Sequence, residues 1–160
     1  MRHDAEEICL ACDLTSGNRA LPGGRIYETS AWVVEPCIGP LPVGTLIVKP
    51  FRHCLSISDL RPDEAEQLGP LLSLTSHAIT ELTKCDQVYA CLWSHANWTP
   101  GHIHFVLQPA WNSQNDAYDR PGPFMQEAMF RTGASPDETK VEAFCERARG
   151  LLSAIEEVPK

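Results

Sequence analysis

No stretch of this sequence approaches the ~18 consecutive apolar residues of a membrane span. Its opening residues, Met1 to Glu7, are polar and acidic where an export signal would be apolar. A cytoplasmic protein is expected, with no membrane partner. Positive charge is scarce as well: 13 Lys and Arg stand against 21 Asp and Glu, for a net charge of −8. Binding a nucleic-acid polymer means neutralising many phosphates with basic side chains, so that partner is not expected either. A small phosphorylated ligand stays compatible, because one site can be positive within an acidic surface. Repeats, low-complexity tracts and interdomain linkers are all missing. The 160 residues therefore read as one domain, 1–160, with enough apolar material (43%) for a core.

What the chain has in excess is cysteine. Seven is an odd count, and without an export signal a disulfide framework is not expected. Cys37, Cys54, Cys85, Cys91 and Cys145 stand alone and read as small packing residues, with Cys85 and Cys145 in predicted helices. Cys9 and Cys12 differ, because two cysteines two residues apart supply one edge of a tetrahedral metal shell.

Along the chain, Arg25 to Glu35 is aromatic and β-branched and predicts one or two strands. Thr45 to Val48 reads as a buried strand ended by Lys49-Pro50, and Leu55 to Ser58 as more sheet or a connector. From Pro62 the pattern turns helical: Leu68, Leu71, Leu72, Thr75, Ile79 and Leu82 recur every three or four residues, with Pro70 as a kink or break. Gln87 to Trp93 and His102 to Leu107 predict two strands joined by an irregular segment, Ser94 to Gly101. Phe124 to Arg131 predicts a short helix, and the capping box Ser135 to Glu138 opens a last one. The order predicts an α+β domain with an antiparallel sheet, a long helix and C-terminal helices.

Six histidines accompany the cysteine pair. His77 reads as a surface or packing residue of the helix, and His3 lies near the first residue. His53 closes a strand. His102 and His104 alternate on another, so their rings leave one face about 6 to 7 Å apart and either bind one metal or divide their labour. Residue chemistry alone leaves two readings open: a zinc site of Cys9, Cys12, His53 and His102, or an incidental or redox cysteine pair beside core histidines.

The run Gly101-His102-Ile103-His104-Phe105-Val106-Leu107-Gln108-Pro109 resembles the histidine triad signature, and Val43 to His53 is similar to that superfamily's strand, proline, basic pair and histidine. With the cysteine pair, the resemblance covers about residues 6–110; residues 110–160 match less securely. It implies a histidine triad fold, a homodimer, a structural zinc held by Cys9, Cys12, His53 and His102, and His104 as the nucleophile toward a nucleotide phosphate. Galactose-1-phosphate uridylyltransferases are related. Four protein ligands would close the zinc shell and leave no place for an activated water.

The sequence departs from the triad at Val106, where the third histidine would stand. The transferase branch has glutamine there; Gln108 shares the strand face but comes two residues late. By the same resemblance Thr99 matches the hydroxyl that meets the phosphate, Trp98 replaces a glutamine, and Thr45 replaces a further histidine. Glu35 substitutes for the ribose-binding acid, whose own position falls near Cys37. His95 could protonate the leaving group, or be a plain loop histidine. Trp98 could stack on a base; Trp32, Trp93 and Trp111 read more simply as packing residues. Arg120 reads as a phosphate clamp or a solvated loop residue. The function implied is a nucleotide hydrolase or nucleotidyltransferase working through a nucleotidyl-histidine on a diadenosine polyphosphate or phosphoramidate. The alternative is a zinc-stabilised nucleotide-binding protein without turnover.

Overall fold

The computed structural model describes residues 9–96, 99–114, 118 and 122–156. The elements run α1 (Leu10–Ser16), β1 (Tyr27–Glu28), β2 (Trp32–Pro36), β3 (Leu46–Pro50), α2 (Pro62–Thr83), β4 (Gln87–Ala96), β5 (Thr99–Ala110), α3 (Pro123–Thr132) and α4 (Glu138–Glu156). Single 3-10 turns occur at Ile57–Asp59 and Asn112–Gln114. The strands form one antiparallel sheet in the order β1-β2-β3-β5-β4. This is the expected α+β architecture.

The alternation of β5 divides the molecule. Phe105 and Leu107 face one side, where they join Trp32, Val34, Leu46 and Val48 under Leu71, Ala78 and Ile79 of α2 and Phe144, Ala148 and Leu152 of α4. Val106 and Ala110 face the other side, where Met125 and Met129 of α3 cover them. The main core therefore lies against α2 and α4, while the second face carries a smaller cluster and is free to hold polar groups nearby. Trp32 belongs to the core: it is fully buried, and its Nε1–H donates to the Glu64 carbonyl at 2.8 Å.

Pro62 suits the first turn of α2, and Glu64 caps it by accepting the Arg61 backbone N–H at 2.7 Å. Pro70 neither kinks the chain into two helices nor ends it, for α2 runs unbroken over 22 residues. Both Pro70 and Glu66, whose carbonyl loses its partner, are exposed, so water can take over the missing bond. Three other expectations shift. Cys85 falls just past α2, although it is buried as foreseen. The last helix is capped by Asp137, whose Oδ1 accepts the Lys140 N–H at 3.1 Å, and not by Ser135. The β4–β5 hairpin is longer than its apolar pattern, pairing as far as Ala96 with Thr99, because backbone pairing continues where apolar alternation stops. No helix among the described residues is long and apolar enough to cross a membrane.

Glu64 is a charge in a closed place, 1% exposed. Arg52 grips both of its oxygens, at 3.0 and 2.6 Å, and Arg61 Nη2 approaches at 3.0 Å. The Arg52 hydrogen bonds, working against burial, hold the Glu64 carboxyl down at about 2. A depressed carboxyl stabilises the fold fully above the unfolded value of about 4.3, and the contribution fades as pH falls toward 2. Glu64→Gln should cost about 3 kcal/mol in urea unfolding at pH 7, with the gap to wild type closing by pH 2. A gap of the same size at both pH values would remove the charge from the explanation.

Candidate metal centre and active site

Four side chains from three parts of the chain converge beside the end of β3. Cys9 caps α1 and Cys12 lies in it, His53 follows β3, and His102 points from β5. One ligand atom from each, two Sγ and two ring nitrogens, lies within 4.8 Å of every other. Cys12 Sγ is 3.4 Å from His53 Nδ1 and 3.5 Å from His102 Nδ1, and Cys9 Sγ is 3.8 Å from His102 Nδ1. A tetrahedron with zinc–sulfur and zinc–nitrogen bonds of ordinary length has sulfur–nitrogen edges of about 3.6 Å. The donor set and the spacing fit zinc, and the cluster can hold it.

The surroundings suit the same ion. His102 Nε2 lies 2.9 Å from the Pro50 carbonyl, which can only accept, so Nδ1 carries the lone pair toward the cysteines. Burial pushes His102 down to about 4 and keeps it neutral, as a metal ligand must be. Burial and then the neighbouring Cys9 push the Cys12 thiol up to about 11; a bound cation supplies the charge that draws its proton off.

His104 sits two residues along β5 on the same face, half-buried. Its Nδ1 is 3.0 Å from the His102 carbonyl, so Nδ1 donates and Nε2 keeps its lone pair. Burial pushes its pKa below the ordinary imidazole value, opposed by the carbonyl bond and aided by the charge of Lys49. The result is a neutral imidazole whose Nε2 keeps its lone pair. Trp93 lies directly across the ladder from His104. Its ring is held by Gln126 Oε1, which accepts Nε1–H at 2.9 Å, and by Phe130 at 5.3 Å between ring centres. The sequence offered no signal for this, since α3 has to fold onto β4 before Trp93 acquires partners.

Other expected site residues lie elsewhere. Val106, at the third triad position, is buried. Gln108 is fully buried with its Nε2 against Met129 Sδ, which withholds it from a ligand. Glu35 is 2% exposed and its Oε2 is 2.6 Å from Lys49 Nζ, so a ribose would have to displace an ion pair. His95 pairs with Pro100, and Thr99 opens β5. At about 3.4 Å per strand residue, Thr99 stands about 17 Å from His104 along the hairpin. His95 is exposed at the same end. Trp98 and Arg120 lie outside the described residues, as does His3.

Solved structures share this arrangement of elements. A zinc-bound histidine triad family protein from Mycobacterium smegmatis matches with a TM-score of 0.67 at 20% identity, over 92% of this chain and 95% of its own. A hypothetical histidine triad nucleotide-binding protein from Sulfolobus tokodaii matches with a TM-score of 0.70 at 16% identity, over 92% and 94%. The fold is that of the histidine triad proteins. A HIT family protein from Bacillus anthracis extends the match to 96% of this chain and 99% of its own, with a TM-score of 0.59 at 18% identity. No protein-family model and no curated protein matches the sequence. The structural match to the Bacillus anthracis protein extends past residue 110, beyond the stretch whose sequence carries the resemblance.

Wild-type protein should carry one zinc per chain by elemental analysis, and Cys12→Ser should retain less than about a tenth of it. Equal zinc in the two proteins would place the ion away from this cluster.

Proposed function

We propose that this chain is a nucleotide hydrolase or nucleotidyltransferase that works through a covalent nucleotidyl-histidine at His104. The observation that carries the reading is the hydrogen bond from His104 Nδ1 to the His102 carbonyl, which leaves Nε2 as the free nucleophile. Nε2 attacks the α-phosphorus of a nucleoside phosphate, a P–N bond forms, and the bond to the leaving group breaks. Water or a phosphorylated acceptor then cleaves the P–N bond and releases the nucleotide. The leaving group is a nucleoside polyphosphate or an amine, as in a diadenosine polyphosphate or a phosphoramidate.

In this reading Cys9, Cys12, His53 and His102 hold zinc as a closed structural cross-link. It supplies a fixed origin for β5 and no reactive water. His102 binds metal and, through its carbonyl, orients His104. Thr99 and His95, paired at the far end of the β4–β5 hairpin, take no part in the transfer step. β4 is ten residues long and stands last in the strand order, which suits the joining of two sheets in a homodimer.

A second reading is a nucleotide-binding protein without turnover, favoured by the buried Val106, which offers no proton at the third position. Mass spectrometry of wild type and His104→Gly, each mixed with diadenosine polyphosphate and nucleoside phosphoramidate, separates the two. A nucleotidyl adduct or released monophosphate is expected from wild type, with the rate falling at least about 1,000-fold in the variant, or about 4 kcal/mol of barrier. Binding without adduct or product in both proteins would select the second reading, and turnover retained in His104→Gly would overturn the assignment of the nucleophile.

A further inference from the structure

Lys49 is the one lysine of the strand run Leu46–Pro50, and it is buried, 2% exposed. A lysine is rarely closed off unless its charge is paired. Its Nζ meets Glu35 Oε2 at 2.6 Å and donates to the Ala11 carbonyl at 2.7 Å. Ala11 lies between the two cysteines of the metal cluster and shares that carbonyl with the Thr15 hydroxyl at 2.8 Å. The β3–β5 register pairs Val48 with Phe105; continued by one residue, it sets Lys49 opposite His104. One ammonium group therefore touches the cysteine helix while standing on the strand beside the strand histidines.

Among the described residues, apart from the contacts of Cys9 and Cys12 with His53 and His102, side-chain ties to the helix it touches are few. α1 is seven residues long, has no buried residue and no side-chain cap. A helix of that length is not stable alone and must be held by tertiary contacts. Arg25 supplies one more tie, to the Thr15 carbonyl at 2.7 Å, but at an exposed place. The Lys49 contact is shielded from water, where a charged donor on a carbonyl counts for more.

We propose that Lys49, drawn in and neutralised by Glu35, is the positioning residue that seats the Cys9–Cys12 turn on the sheet so that its sulfurs meet His53 and His102. This rests on the reading that the four-residue cluster holds a metal. Glu35 accordingly serves as the counter-charge of Lys49, in place of a contact to ribose. The pair sits between the metal helix and the strand row of His104, and so fixes the spacing of the two.

The test uses three full-length proteins, each loaded with zinc or with cobalt as a spectroscopic stand-in: wild type, Lys49→Met, and the double variant Glu35→Met with Lys49→Met. The single variant leaves a buried carboxylate without its partner and is expected to lose stability; the double variant removes both charges and restores it. Circular dichroism checks that each protein is folded. In both variants zinc should pass to a chelator about 10- to 100-fold faster than from wild type, the range expected when a group supporting the ligands is removed. The sulfur-to-cobalt charge-transfer band should also weaken or shift. A double variant that holds zinc as long as wild type, with an unchanged cobalt spectrum, would confine Lys49 to neutralising Glu35 and overturn the proposal. A wild type that takes up neither metal would overturn the metal reading itself, and this one with it.

Discussion

Two backbone carbonyls set the roles of the two strand histidines. A neutral imidazole has one N–H and one lone pair, and a carbonyl can only accept, so each carbonyl fixes which nitrogen remains free. The Pro50 carbonyl accepts the Nε2–H of His102 and turns Nδ1 toward the cysteines. The His102 carbonyl accepts the Nδ1–H of His104 and leaves the lone pair on Nε2. Two identical side chains, two residues apart on one face, thus have opposite tautomers. Each bond has a net worth of about 1 kcal/mol, which is small for stability and sufficient to favour one tautomer several-fold.

This division depends on the sheet having two unlike faces. One face is thick with apolar contacts from α2 and α4, and Trp32, Leu46 and Leu107 are sealed within it. That packing fixes β5 from beneath and allows the opposite face to carry buried polar and ionic groups. There, α1 covers the region of Lys49 and α3 covers Val106 and Ala110, with His104 half-buried on the strand between those two anchor points. Stability is concentrated on one side of the sheet and chemistry on the other.

The four residues of the metal cluster were singled out in the sequence by the resemblance, with local spacing supplying part of the pattern and leaving the set open. Two residues between Cys9 and Cys12 fit one helical turn, and strand parity puts His102 and His104 on one face whatever the rest of the chain does. Residues whose roles rest on burial were not legible. Glu35 and Gln108 have chemistry suited to a ligand, and only the Lys49 ion pair for the one and Met129 of α3 for the other take them out of reach. Thr99 and His95 lie close to His104 in sequence, yet an extended strand converts a few residues into a long distance. Lys49 looked like the polar end of a strand until α1 and β2 closed on it.

The sequence by itself determined the α+β order, the long helix, the cysteine and histidine spacing and the side of β5 on which the histidines lie. Periodicity and short-range geometry settle these before any distant contact forms. Tertiary structure decided which nitrogen each histidine presents and which polar side chains are sealed. It also decided that Pro70 could remain inside a continuous helix, where Pro70 and Glu66 are both exposed. These outcomes depend on partners brought from other parts of the chain, Pro50 for His102 and Glu35 with Ala11 for Lys49, and spacing along one segment carries no information about them.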